Sequence, residues 1–185
     1  MSETQLLNAI FAGATALFAF IMCGIVWHQI KTTKNLERAW IVVESIAFGP
    51  LWKEKQHFRP ILKNVGRSIA RIQKISLGGS RPRQSNEELK SPPTYEGWSD
   101  LDFALSPQGK LPLLSIPDIP LNRENADSVK RGFLRLYVYG LIEYRDFSGK
   151  KRETAFCFKF YPGKDGILDG FHPFLEAPRG YIRAT

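Results

Sequence analysis

The feature that most constrains this chain is an uncharged run near its start. Between Glu3 and Lys31 there is no Asp, Glu, Lys or Arg. The apolar centre, Ala9–Trp27, is close to the roughly 20 residues that a helix rising about 1.5 Å per residue needs to cross ~30 Å of hydrocarbon. We therefore predict a transmembrane helix within residues 1–30, with Trp27 at the lipid interface.

Two alternatives to a membrane anchor are a cleaved signal peptide and a buried helix of a soluble protein. A signal peptide begins with positive charge, whereas Met1–Asn8 carries only Glu3 as a charged side chain. The apolar run is also longer than a usual signal-peptide h-region, and by the same length rule it disfavours a buried helix of a soluble protein. An uncleaved single-pass anchor is therefore the favoured interpretation.

The charges that flank the anchor are one-sided. Lys31, Lys34 and Arg38 follow it, and no Lys or Arg precedes it. Positive residues remain on the cytoplasmic side, so the pattern predicts a cytoplasmic C-terminal domain, with a periplasmic domain as the alternative. The polar stretch 31–38 has no Gly or Pro and is predicted to continue the helix as a stalk.

Small residues recur on one face of the anchor. Ala9, Gly13 and Ala16 are spaced by four and three residues, which allows another helix to approach closely. A lipid-facing patch of small residues is the alternative. If the face packs, it implies a homo-oligomer or a larger membrane complex.

Residues 39–185 are predicted to form one β domain. Twelve prolines and fifteen glycines indicate many turns. Strands are predicted at 39–46 and 58–65, and strict alternation predicts a long hairpin formed by 134–145 and 153–161. We expect a long loop over 78–100 and an irregular tail over 162–185.

The segment Asn64–Ala70 reads Asn-Val-Gly-Arg-Ser-Ile-Ala and predicts a hairpin turn leading into a strand, with a helix as the alternative. This segment resembles a strand motif of immunoglobulin-like sandwich domains in bacterial surface and membrane proteins. Arg38-Ala39-Trp40 is similar to the start of the domain in uncharacterised bacterial single-pass proteins. The resemblance implies a mainly β fold, an antiparallel immunoglobulin-like β-sandwich, at the bacterial inner membrane, and it implies no activity.

Sequence motifs for catalysis are absent. His28, His57 and His172 are far apart, and no phosphate loop, dinucleotide fingerprint, nucleophile elbow or zinc motif occurs. Cys157 lies in a predicted strand with no local group to activate it, so a packed thiol is expected. The sequence thus predicts no enzyme, no catalytic residue, no cofactor and no metal site.

Basic residues are concentrated early in the domain. The net charge is +8, and between Lys53 and Arg83 nine Lys or Arg residues accompany one acid, Glu54. Together with the anchor flank, they define a candidate membrane-interface or anion surface: Trp27, Lys31, Lys34, Arg38, Lys53, Lys55, Arg59, Lys63, Arg67 and Arg71. Anionic lipid or a partner's acidic surface, a merely solvated basic face and nucleic acid are the three interpretations, and nucleic acid is the least favoured.

A non-enzymatic accessory or scaffold subunit of a membrane complex accounts for all of these features. Its expected partners are the lipid bilayer and a membrane protein or a second copy of the chain. A membrane-tethered module that senses an anionic ligand or lipid through the basic face is the alternative.

Overall fold

The computed structural model describes residues 3–48, 58–79, 82–84, 87, 89–95, 97–113, 121–163 and 170–185. The chain divides into two units, Met1–Arg38 and Ala39–Thr185. In chain order the elements are α1 (Glu3–Leu36), β1 (Ile41–Phe48), β2 (Phe58–Asn64), β3 (Ala70–Gly79), β4 (Arg83–Gln84), β5 (Trp98–Leu105), β6 (Lys110–Pro112), α2 (Arg123–Lys130), β7 (Leu134–Arg135), β8 (Tyr137–Arg145), β9 (Lys151–Tyr161), β10 (Gly170–Pro173) and β11 (Arg183–Ala184).

The first unit is the helix α1, which is long and apolar enough to span a membrane over Phe11–Thr33. Every side chain described in α1 is exposed, including large apolar ones around the helix. The hydroxyl of Thr15 donates to the carbonyl of Phe11 at 2.8 Å, and that of Thr32 donates to His28 at 3.0 Å. These polar groups are therefore satisfied within the helix, as a low-dielectric surrounding requires.

The second unit is mainly β, with antiparallel sheets, as the alternation predicted. One sheet has the order β1-β2-β6, and the larger sheet has the order β10-β9-β8-β3-β5, with β11 also pairing β9. The predicted hairpin is confirmed, because β8 and β9 pair from Tyr137–Lys159 to Arg145–Lys151. β4 and β7 form a separate two-stranded pair.

Both sheets contribute to the main apolar core, which includes the alternating side chains of the hairpin. Phe156, Phe158 and Phe160 are buried there as expected. Phe48 of the smaller sheet makes an edge-to-face contact with Phe160, with ring centroids 5.8 Å apart. Gly140 is required beside Phe156, since a Cβ at this position would lie 2.8 Å from the phenyl ring.

The turn after Asn64 departs from the hairpin prediction. The strand predicted after this turn is confirmed as β3 and the helical alternative is wrong, but β2 pairs with β1 and β6, and β3 pairs with β8 and β5. Because both edges of β2 are already occupied, residues 65–69 carry the chain to the other sheet instead of returning it beside β2. Asn64 is thus the start of an arch between sheets.

Three further segments differ from the sequence-based expectations. The long loop predicted over 78–100 contains the end of β3, β4 and the start of β5. The tail predicted to be irregular adds β10 and β11 to an edge of β9. The short helix α2 was not predicted, although the Asn122 side chain caps it by accepting from the Asn125 amide at 2.7 Å.

Candidate functional site

An apolar cleft of about 210 Å³ lies where an edge of one sheet faces an edge of the other. Its walls come from β1, β9, β10 and β11 and from the neighbouring loop residues. Phe156 and Phe158 form its buried floor, while Trp40, Leu175 and Ile182 are exposed at its rim. The cleft is therefore an accessible apolar site.

The opening arises from the way in which the tail pairs with β9. β10 covers one part of the outer edge of β9, and the Phe174 amide still donates to the Cys157 carbonyl at 2.9 Å. The chain returns to this edge only at Arg183, opposite Ala155. Between these two points, Leu175 and Ile182 are left at the rim of the cleft.

Trp40 is held at the rim through the buried side chain of Asn64. The Asn64 Oδ1 accepts from the amides of Trp40 at 3.2 Å and Gly66 at 3.0 Å. Its Nδ2 donates to the carbonyls of Ser68 at 2.7 Å and Leu105 at 3.0 Å. All four hydrogen-bonding positions of this amide are used, so Asn64 fixes the backbone that carries Trp40.

The electrostatics of the cleft are nearly neutral. Arg183 is the one charged residue among the described lining residues, and its guanidinium is paired with the Glu153 carboxylate. The buried Thr154 hydroxyl donates to the Ile41 carbonyl at 2.9 Å. The cleft therefore suits an apolar group of complementary shape, and it offers little charge for the recognition of a charged ligand.

Cys157 belongs to a second, smaller cluster on the opposite face of the larger sheet, with Leu89, Tyr137 and Tyr181. Burial raises the pKa of the Cys157 thiol to about 12, so the thiol is protonated and unreactive near neutral pH. The expectation of a packed thiol agrees with this position. The hydroxyl of Tyr95 donates to the Gly180 carbonyl at 2.6 Å, which ties the 89–95 segment to the tail.

The predicted anion surface is partly neutralised by carboxylates on adjacent strands. Arg71 binds Asp102 through two hydrogen bonds of 2.7 and 2.8 Å. The hydrogen bond from Arg71 holds the pKa of Asp102 below its usual value, and this pair raises the pKa of Arg71. A free basic face would lack such partners, so Arg71 is better described as one half of an exposed ion pair.

Lys63 is similarly engaged. Its Nζ lies 3.5 Å from a carboxylate oxygen of Glu44, and Lys110 lies 2.7 Å from the other oxygen. The hydrogen bond from Lys110, followed by the charges of both lysines, lowers the pKa of Glu44 despite its partial desolvation. Arg59 and Arg67 are exposed.

The other predicted surface residues are distributed over different parts of the chain. Trp27 and Lys31 are exposed on α1, while Arg38 is half-buried at the end of the first unit. Lys53 and Lys55 lie outside the described residues, as does the side chain of Lys34. The ten residues are therefore not brought together into one described surface.

The small face of the anchor is open where the structure describes it. Gly13 and Ala16 are exposed, and a Cβ at Gly13 would meet no atom within 4 Å. The side chain of Ala9 lies outside the described residues. The geometry of α1 thus leaves room for a second helix.

Metal chemistry has no support in the described part of the chain, which holds no group of three or more His, Cys, Asp or Glu side chains able to bind an ion. His28 and His172 belong to different units, and His57 lies outside the described ranges.

No protein-family model, curated protein or solved structure matches this chain.

Sequence reasoning missed the cleft because its lining comes from residues near positions 40, 155 and 180. Trp40 and Ile182 are visible in the sequence as apolar residues, but an apolar residue beside a strand is an ordinary candidate for the core. Only the strand pairing shows that the edge of β9 between β10 and β11 is open.

Proposed function

We propose that this protein is a membrane-anchored, non-enzymatic interaction protein, an accessory or scaffold subunit of a larger membrane complex. The observation that carries the proposal is the apolar cleft rimmed by Trp40, Leu175 and Ile182. Its occupant is a different membrane protein, which inserts apolar side chains between the two sheet edges.

The size and chemistry of the cleft favour a protein partner over a small ligand. Typical small-molecule pockets measure roughly 300–1,000 Å³ and carry a few convergent polar groups. This cleft is smaller, and Arg183 is already engaged by Glu153. Apolar anchors that fill such recesses supply most of the binding energy in many protein interfaces.

In this proposal the anchor α1 holds the protein at the membrane. α1 crosses the bacterial inner membrane once, and Lys31, Lys34 and Arg38 keep Ala39–Thr185 in the cytoplasm. The small face at Ala9, Gly13 and Ala16 offers a second contact to a helix of the partner or of another copy. The immunoglobulin-like arrangement of the β domain stays a prediction from the sequence.

A sensing module for an anionic ligand or lipid remains the alternative. Exposed Arg59 and Arg67 favour this alternative. The pairing of Lys63 and Arg71 with carboxylates disfavours it, because it reduces the positive electrostatic potential that would attract a soluble anion. The same pairing disfavours nucleic acid, whose binding depends on many free cations.

The test is purification of the full chain in mild detergent, followed by mass spectrometry, for the native protein and for Leu175→Asp and Ile182→Asp. Both side chains are exposed, so the charge should leave the fold intact. We expect a stoichiometric membrane partner whose recovery falls roughly tenfold or more in both variants. Trp98→Asp is the matched control, because Trp98 is an exposed aromatic residue outside the cleft.

The proposal fails if no stoichiometric partner accompanies the native chain. It also fails if the partner is retained by both cleft variants, or if Trp98→Asp releases it equally.

A further inference from the structure

Three turns emerge at one end of the β domain. They are 65–69, 106–109 and 146–150, and strand register places them together: Asn64 pairs with Ile41, Ala70 with Leu105, and Arg71 with Arg145. Direct bonds reinforce this arrangement, since the Gln108 amide donates to the Asn64 carbonyl at 2.8 Å. We call these three segments the turn end of the domain.

The turn end exposes large apolar side chains. Val65 is 43% exposed, Ile69 is 53% exposed and Phe147 is 56% exposed. None of them lines the cleft. They belong to turns, where polar residues would serve the fold equally well, so burial in the domain does not account for them.

The charge of the turn end is positive. Arg67 and Lys150 are exposed there. The one carboxylate within the three turns, Asp146, is buried and accepts hydrogen bonds from the Ser148 amide and hydroxyl and the Lys150 amide. Basic and apolar side chains therefore reach solvent at this end, while the acid is turned inward.

The chain also enters the domain at this end. The Val65 amide donates to the Trp40 carbonyl at 2.8 Å, directly before β1 begins. Only residues 37–40 separate β1 from the last residue of α1. A connection of four residues spans at most roughly 14 Å when extended, so the entry to the domain is joined to α1 by a short covalent tether.

We propose that the turn end docks on the anionic head groups of the bilayer, with Phe147, Ile69 and Val65 entering the interface and Arg67 and Lys150 binding lipid phosphates. The proposal rests on the anchoring proposed above and not on the cleft or its partner. Surfaces that combine apolar side chains with Lys and Arg bind the head-group region by burial and by attraction to anionic lipid. The lipid surface is favoured over a protein because only four residues join the domain to a helix long and apolar enough to span a membrane, and the turn end exposes basic and apolar side chains together.

The opposite end of β8 offers a matched control. Phe133 lies shortly before β8 and is 67% exposed, whereas Phe147 lies shortly after it. Arg131, two residues before Phe133, is exposed as Lys150 is. Substitutions at Phe133 and Arg131 repeat the chemistry of the turn end before β8 instead of after it.

The experiment places a spin label on the full chain in lipid vesicles. The labels are introduced as Phe147→Cys and, separately, as Phe133→Cys, both in a Cys23→Ala background. Cys157 is buried and its raised pKa of about 12 keeps it unlabelled near neutral pH. The measured quantity is the accessibility of each label to oxygen, which concentrates in lipid, and to a chelated nickel ion, which stays in water.

In vesicles rich in phosphatidylglycerol, the label at position 147 should gain accessibility to oxygen and lose accessibility to nickel, compared with neutral phosphatidylcholine vesicles. The label at position 133 should remain exposed to water in both. Adding Lys150→Glu or Arg67→Glu should lower the docking equilibrium constant by about fivefold or more, since each basic side chain near the surface contributes about that factor. Arg131→Glu should leave docking unchanged, and high salt should weaken it.

Equal exposure of both labels to water in anionic vesicles would overturn the proposal. Protection of position 147 that is the same in neutral lipid, or that survives both charge reversals, would overturn it as well, because the ligand would then not be an anionic head group. Neither result bears on partner recovery through Leu175, so the two proposals can fail separately.

Discussion

The hydroxyl of Thr154 donates a hydrogen bond of 2.9 Å to the carbonyl of Ile41, and this buried bond joins the two sheets beside the cleft. Ile41 begins β1, and Thr154 lies in β9. The bond satisfies a main-chain carbonyl that faces away from β2, the strand with which β1 pairs. It therefore fixes the spacing of the two strands that form opposite walls of the cleft.

Replacing Thr154 by Val should expose the importance of this bond, since Val keeps the shape and loses the donor. An unsatisfied buried carbonyl costs about 1–3 kcal/mol, so we expect the free energy of unfolding to fall by that amount. Urea denaturation of the full chain in detergent measures it. Thr154→Ser retains the hydroxyl and should be the milder change; a Val variant as stable as the native protein would show that the bond contributes nothing.

The β8–β9 hairpin could be predicted from sequence because alternation is a local property. Leu136, Val138 and Ile142 are separated by multiples of two residues and face the core. Phe156 and Phe158 of the return strand face the same core. The arch after Asn64 could not be predicted in the same way. Its local pattern is that of a hairpin turn, and only the distant partners of β2 and β3 decide that the chain changes sheets.

The candidate site was predictable only in its residue types. Basic residues were evident from sequence, but the carboxylates that pair with them come from other strands, as with Arg71 and Asp102, which are 31 positions apart. The cleft depends on where the tail leaves the edge of β9, which no local pattern encodes. The apolar anchor, by contrast, could be predicted from sequence, because the length and apolar composition of a continuous segment are what allow a helix to span a membrane.

Phe156 and Phe158 are buried together, so replacing either residue tests which face of the hairpin packs in the core. Their ring centroids are 6.2 Å apart in an edge-to-face arrangement. Phe156→Ala or Phe158→Ala should each lower the free energy of unfolding by about 3–5 kcal/mol. Phe147→Ala, at an exposed turn, should change it by less than about 0.5 kcal/mol. Equal effects at all three positions would contradict the assignment of the inner face.

Asp146 makes stability depend on pH. Burial alone raises its pKa, but hydrogen bonds from Ser148, Arg152 and the Lys150 amide outweigh burial and hold the pKa below the usual value. A pKa that is lower in the folded state stabilises the fold fully above the unfolded pKa of about 3.9, and this contribution is lost as pH falls through the folded pKa.

Asp146→Asn should therefore be less stable than the native protein by about 1.5–3 kcal/mol at neutral pH, with the gap closing as pH falls below about 4. Chemical denaturation over a pH series gives the two curves. Asp102→Asn, which removes an exposed partner of Arg71, should show a much smaller dependence. A gap for Asp146→Asn that stays constant at acidic pH would rule out the carboxylate charge as its source.

The orientation of the anchor can be checked with reporters fused after Thr185. Because Lys31, Lys34 and Arg38 follow the apolar run, alkaline phosphatase at this position should be inactive, and green fluorescent protein at the same position should fluoresce. Reversing the three charges to Glu should increase phosphatase activity. An active phosphatase on the native chain would place the domain on the other side of the membrane.

The most direct test of a partner at the cleft is a photo-crosslinking amino acid placed at Leu175 of the full chain in intact membranes. Leu175 is exposed at the rim, so the probe reaches whatever fills the cleft. We predict one dominant adduct with another membrane protein, lost when Ile182→Asp is added and absent when the same probe replaces Trp98. An adduct with a second copy of the chain would contradict the assignment of a different protein as the occupant. No adduct at Leu175, or the same adducts from both positions, would contradict the cleft as an interaction site.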